Sequence, residues 1–207
     1  MKQVLFCFSI LLLAVSRLLP ASSLPDEPTM QRLETGEIIL YETHTDESGG
    51  AGRVQALVHA PAADVWAVII SCKQAFLFVD GLKSCEVLED SGDRARVHQV
   101  VKKHWLLPTQ DFVFLSLRKP YREIDFELLE GNLDVLEGHW RFTPLPQGLL
   151  LEYEARIKPS LPAPRWLVRR TIRKDTPDLI ACIRGLAKGS GSPEAVRTDL
   201  ARCPGNQ

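Results

Sequence analysis

The sequence lacks the motifs of the common catalytic chemistries. It has no GxSxG elbow to lift a serine nucleophile above a sheet. It has no HExxH helix and no CxxC spacing, so neither a zinc site nor a thioredoxin-type redox centre is written into it. Its Gly-rich stretches are badly placed for phosphate. Gly49-Gly50-Ala51-Gly52 opens no helix, and Gly189-Ser190-Gly191-Ser192 follows a helical pattern instead of preceding one. There is no internal repeat, no βαβ crossover pattern and no second apolar run fit to cross a membrane. Nor is there an excess of one charge: the formal net charge is −1, so overall charge does not suggest nucleic acid as a partner. The 207 residues are 45% hydrophobic and 25% charged, which suits one globular domain with its own core.

The N-terminus carries a targeting pattern. Lys2 precedes an apolar run, Val4 to Val15, broken only by Ser9; Arg17 and the small residues Ala21, Ser22 and Ser23 follow. A basic start, a short apolar core and a small-residue site fit a secretory signal peptide over residues 1–23, cut before Leu24. The run is shorter than the roughly 20 residues of a comfortable span, and an uncleaved anchor is the alternative. The mature chain is therefore expected to be exported, periplasmic or secreted. Four cysteines remain in it, Cys72, Cys85, Cys182 and Cys203, and an oxidising compartment permits disulfides. Three pairings are open, of which the short-loop one joins Cys72 to Cys85 and Cys182 to Cys203.

Periodicity then orders the chain. Residues 24–36 read as a polar lead-in. Residues 37–43 and 53–60 read as a hairpin, with a turn-rich loop at 46–52. Residues 61–70 and 73–79 are helical in pattern, with Pro61 and Asp64 at a first turn. Strands follow at 83–89, 94–105, 111–119, 121–129, 138–143 and 149–158. The last alternates cleanly: Leu149, Leu151, Tyr153, Ala155 and Ile157 on one face, Glu152, Glu154, Arg156 and Lys158 on the other. A long helix over 164–187 carries Val168, Ile172, Leu179, Ile183 and Leu186 as one apolar stripe, with Pro177 inside it as a predicted kink. Strands bracketed by helices make an α+β fold. Residues 188–207 turn to Gly, Ser, Pro and charge and predict a flexible tail.

Charge is unevenly spread. Arg165, Arg169, Arg170, Arg173, Lys174, Arg184 and Lys188 face only Asp175 and Asp178 along the last helix, whereas residues 123–137 hold acids and no base. The basic run reads as a solvated helix face or, more sharply, as a face that approaches anionic lipid headgroups.

Several segments together resemble a known superfamily. The stretch Val54-x-Ala56…Ala60-Pro61-Ala62-x-Asp64-Val65-Trp66-x-Val68-Ile69 is similar to the opening of START-like (SRPBCC) proteins, which include polyketide cyclases and coenzyme Q-binding proteins. Phe126-Glu127…Glu130-Gly131-Asn132…Leu136-Glu137-Gly138-His139-Trp140-Arg141-Phe142…Gly148-x-x-Leu151-x-Tyr153 resembles its later strands. Pro164-Arg165-Trp166-Leu167-Val168-Arg169-Arg170 resembles the start of its C-terminal helix. The resemblance spans about residues 37–187 and implies a helix-grip fold, a curved antiparallel sheet around a long C-terminal helix with an apolar cavity between. It implies a hydrophobic ligand such as a lipid or quinone, and no catalytic residue is carried over. The signal peptide departs from the intracellular members.

The cavity candidates are Trp105, Phe112, Phe114, Phe126, Trp140, Tyr153 and Trp166, with Phe142 beside them; for each, core packing is the competing explanation. Tyr153 stands out as the polar tip on an apolar strand face. Glu137 with His139 is a candidate acid–base pair, against the simpler reading of a surface pair. His98 and His104 share strand parity without reaching a metal-binding set, and no cofactor is expected. The favoured function is an exported, monomeric binding protein for a hydrophobic small molecule; a cyclase- or dehydratase-like enzyme in the same cavity is the alternative. Peripheral contact with membrane lipid, through the basic helix and residues 159–165, is a third expectation.

Overall fold

The computed structural model describes residues 24–41, 44–46, 49–103, 105, 108–161 and 164–204. The expected signal peptide at 1–23 lies outside the described residues. In chain order the elements are α1 (Glu27–Glu34), β1 (Ile38–Leu40), β2 (His44–Asp46), β3 (Gly49–Val58), α2 (Ala62–Ile69), α3 (Cys72–Phe78), β4 (Leu82–Asp90), β5 (Arg94–Val101), β6 (Gln110–Lys119), β7 (Glu123–Gly131), β8 (Leu133–Leu145), β9 (Gly148–Pro159), α4 (Arg165–Leu186) and α5 (Pro193–Leu200).

Every described strand pairing is antiparallel, in the order β1-β3-β9-β8-β7-β6-β5-β4, with β2 on β3. The first long strand therefore closes on the last. Period two decides what each face meets. On β9, Leu149 and Leu151 point inward with their cross-strand partners Val58 and Ala56 and join the main core. Leu150, opposite Leu57, points outward and joins a second small core with Leu33 and Ile39. The inner face curves around α4, whose Ile180 and Ile183 are fully buried against it. This is the helix-grip arrangement that the resemblance implies.

Three sequence expectations are corrected. The lead-in is not merely polar coil. Asp26 caps α1 by accepting from the Thr29 backbone N–H at 3.2 Å, and Leu33 is fully buried beneath that helix. The glycines at 49–52 are not a loop but the start of β3. A Cβ at Gly50 would lie 2.5 Å from Ile172 Cδ1 and 2.8 Å from Val168 Cγ1, so the missing side chain is what lets the strand pass beneath α4. Residues 188–204 are not a loose tail. Ser192 caps α5 by accepting from the Ala195 N–H, with Pro193 at its first position. What reads as low-complexity composition is a helix start.

That C-terminal segment is held by charge and by sulfur. Arg184 is buried and donates through Nε and Nη2 to both carboxylate oxygens of Asp199, at 2.7 and 3.0 Å. Its Nη1 donates to the Gly36 carbonyl at 3.0 Å, and the Ser190 hydroxyl donates to Asp199 at 2.6 Å. Of the three open cysteine pairings, the structure forms Cys72–Cys85 and Cys182–Cys203. The second spans 21 positions and ties α4 to the segment after α5. Replacing Cys182 and Cys203 together by Ser is expected to lower the unfolding free energy by about 2–4 kcal/mol, read by urea denaturation under oxidising conditions. A loss well under 1 kcal/mol would mean the ion-pair cluster alone secures this end.

A cavity between the sheet and the last helix

The two halves of α4 differ. Its second half is fully packed, whereas its first half meets the sheet at Gly50 through Val168 and Ile172 and otherwise borders a cavity of about 560 Å³. The walls are the inner sheet face, α3 and the inner side of α4 at Val168, Thr171, Ile172 and Asp175. The room comes from small residues: Gly50 and Gly52 on β3 and Ala155 on β9 all line it. The Cys72–Cys85 disulfide forms part of the wall and fixes α3 to β4.

Five of the seven aromatic candidates surround this space: Phe112, Phe114, Phe126, Trp140 and Tyr153. They form a connected series. Ring centroids are 6.3 Å apart for Phe112–Phe114 and Phe114–Phe126, 6.2 Å for the stacked Phe126–Tyr153 pair, and 4.2 Å for Tyr153–Trp140. Phe142 packs under Trp66 instead, at 5.4 Å, and belongs to the core. Two candidates are misplaced by the sequence reading. Trp105 is 79% exposed, beyond the end of β5, where the strand's alternation no longer aims a side chain. Trp166 is 64% exposed and lies on the outer side of α4. It is two residues from Val168, about 200° around a helix of 3.6 residues per turn, hence on the opposite face.

The acid–base pair also falls outside the cavity. Glu137 and His139 alternate with the inward Leu136 and Trp140, so both point to the outer face. Glu137 accepts from Arg156 Nη1 at 3.0 Å. His139 Nε2 lies 3.5 Å from Glu152 Oε1, and Gln55 Nε2 donates to Glu152 at 2.6 Å. The hydrogen bond from His139 is the largest cause holding the Glu152 carboxyl below the usual carboxylate range; Gln55 and Arg53 add to it and burial opposes it. His98 pairs with Asp111 at 2.8 Å, and His104 lies outside the described residues. Among the described residues no cluster of His, Cys, Asp and Glu is arranged to hold a metal.

Among the cavity residues that the sequence reading missed are Ser116 and Arg118, although their signal was present. They continue the inward parity of Phe112 and Phe114 along β6. Arg118 is buried; its Nε donates to the Ser116 hydroxyl at 3.3 Å and its Nη1 to Asp90 at 2.9 Å. The Gly92 backbone N–H and then the Arg118 guanidinium hold Asp90 below its usual range. Arg118 pairs across the sheet with Ile124, Ile124 with Trp140, and Trp140 with Tyr153. One row thus runs from a buried cation over two apolar side chains to a phenol, across three strand spacings or about 14 Å. The Tyr153 hydroxyl hydrogen-bonds to no described residue, and burial pushes its pKa up to about 12. It is a neutral donor at physiological pH.

A family described as polyketide cyclase / dehydrase and lipid transport matches residues 58–184, more than half of the sequence. The chain belongs to this family. No curated protein matches the sequence. Among solved structures, the STAR-related lipid transfer protein of Xanthomonas axonopodis is similar at 17% identity and TM-score 0.61, over 73% of this chain and 93% of that one. Human StAR-related lipid transfer protein 5 is similar at 15% identity and TM-score 0.59, over 74% and 82%. The Zhui aromatase/cyclase of a Streptomyces species is similar at 17% identity and TM-score 0.54, over 73% and 94%. At these identities the likeness is one of fold, and it places the helix-grip architecture beyond the resemblance of single motifs.

Two substitutions test the site's electrostatics. Tyr153→Phe removes a hydroxyl that has no described partner, so thermal unfolding is expected to shift stability by less than about 0.5 kcal/mol. A loss above about 1 kcal/mol would show the hydroxyl to be a structural hydrogen-bonder. Glu152 has a depressed folded pKa, so its stabilising contribution is present above its unfolded value of 4.5 and is lost as pH falls through the folded value. The stability gap between wild type and Glu152→Gln should therefore be widest near neutrality and narrow below about pH 4. A gap independent of pH would refute the assignment.

Proposed function

We propose that this protein is an exported carrier or sequestering protein that holds a hydrophobic small molecule between its sheet and α4. The observation that carries the reading is the cavity itself: about 560 Å³, walled by a connected aromatic series and by small residues that leave it open. Ligand pockets commonly fall between 300 and 1,000 Å³ and combine apolar walls with a few polar groups. The family's description supports the ligand class. The ligand that fits is an elongated apolar body with an oxygen acceptor at one end or both, facing Arg118 and Ser116 at one side and Tyr153 at the other. A lipid or a quinone has this form. Export is supported by the leader pattern of residues 1–23 and by two disulfides in the domain.

A second reading has one observation in its favour. The buried Arg118 and the Tyr153 phenol, which hydrogen-bonds to no described residue, could polarise and protonate a bound carbonyl compound, as a cyclase- or dehydratase-like enzyme would require. Under that reading, Tyr153→Phe or Arg118→Gln abolishes turnover of a polyketide-like substrate while affinity holds. Under the carrier reading, neither variant has an activity to lose.

The deciding experiment is native mass spectrometry of the mature protein, followed by solvent extraction and identification of whatever is released. The expected outcome is a lipid- or quinone-sized adduct. Ala155→Phe adds a ring to the cavity floor, so it should abolish the adduct and cut uptake of an apolar fluorescent probe at least tenfold without unfolding the protein. Undiminished probe binding by Ala155→Phe would place the ligand elsewhere.

A further inference from the structure

The outer side of α4 carries a second, shallower depression, lined among others by Trp166, Arg169, Arg170, Arg173 and Lys174. Trp166, Arg169, Arg170 and Arg173 follow at spacings of three, four and seven, which gathers them on one helix face. Arg169, Arg170, Arg173 and Lys174 pair with no carboxylate among the described residues, in contrast to Lys103, 2.6 Å from Asp175, and Arg202, 2.7 Å from Asp178. Unpaired like charges on one face repel one another, a standing cost that an anionic partner relieves. Beside them sits an exposed apolar side chain, Trp166 at 64%. The depression adjoins the cavity, with Lys174, Asp178 and Arg202 lining both.

We propose that this face of α4 docks on bilayers of anionic phospholipid, and that docking brings the rim of the cavity against the lipid surface. Cations beside an exposed Trp match the two layers of an interface: phosphate above, hydrocarbon below. A site for a soluble polyanion would have no use for the exposed indole. Net charge is −1, so the attraction is local and falls off within a Debye length, about 8 Å at physiological salt. Val168, Thr171, Ile172 and Asp175 on the inner side of the same helix wall the cavity, so one element meets both lipid and ligand. The docking surface stands by itself; only the second clause rests on the carrier reading.

The test is flotation of the mature protein with phosphatidylcholine vesicles, with and without phosphatidylglycerol. Binding is expected only to the anionic vesicles, and to weaken as salt is raised. The double substitution Arg169→Gln/Arg173→Gln should lower the partition coefficient roughly 30-fold, the sum of two surface cations. Trp166→Ala should lower it further, with the circular dichroism spectrum and cavity probe binding unchanged in all variants. Equal binding to neutral vesicles, or no effect of the double substitution, overturns the proposal. So does binding of inorganic phosphate or heparin without vesicle binding, which would make the depression a soluble-anion site. Docking on anionic vesicles by a protein that takes up no apolar ligand would keep the surface and remove the carrier reading.

Discussion

The position of α4 depends first on a buried ion pair and a disulfide that secure its C-terminal end. Its last turns are buried on all sides: Ile180 and Ile183 meet the sheet, Arg184 meets Asp199, and Cys182 is bonded to Cys203. Arg184 also holds the Gly36 carbonyl, so one guanidinium joins α4, the chain before β1 and α5. A buried ion pair of this kind adds little net stability, but removing one partner strands the other and costs about 3–5 kcal/mol. Its value is positional: it fixes the C-terminal end of α4 against α5 and the chain before β1. The first half of the helix crosses the inner face, touching β3 at Gly50, and the cavity lies between it and the rest of the sheet.

A gap of that size runs against the tendency of interiors to close-pack, and larger side chains would remove it. The sequence places small residues where a folding optimum would have large ones. Gly50, Gly52 and Ala155 lie under the helix, while the aromatic residues stand at the sides. The glycines at β3 have a further role, since α4 approaches so closely at Ile172 and Val168 that a Cβ at Gly50 would collide. The same strand thus admits the helix at one residue and leaves room for a ligand near it. On the sheet, the row from Arg118 to Tyr153 sets a buried cation and a phenol at opposite sides of the apolar floor, which can orient a guest.

Much of this was legible in the sequence, for reasons that also explain what was not. Alternation in a strand aims side chains, so strand parity alone assigns Phe112, Phe114, Phe126, Trp140 and Tyr153 to one face. The same rule, applied strictly, places Ser116 and Arg118 inside and Glu137 and His139 outside; attention to residue type over parity obscured it. Trp105 and Trp166 fail because nearness to a strand or helix is not direction. Trp166 sits among the arginines by helical arithmetic alone. The capped α5 escaped because Ser192-Pro193-Glu194 counts as disorder by composition and as a helix start by position. The glycines of β3 read as a turn because their use, close approach of another element, is visible only in three dimensions.

Net charge was the least informative number, and the reason is physical. Most of the acids of residues 123–137 meet bases of neighbouring strands: Asp125 meets Arg141 at 2.9 Å, Glu137 meets Arg156 at 3.0 Å, and Asp134 meets Lys158 at 3.1 Å. Sheet register neutralises them pair by pair, leaving little field beyond a few ångströms. The cations of α4 lie on the outer side of the helix, away from the sheet, and so face no strand that could supply acids. Arg169, Arg170, Arg173 and Lys174 are therefore left without counter-charges among the described residues. Cavity wall and basic face are the inner and outer sides of one helix, so a shift in its position moves both.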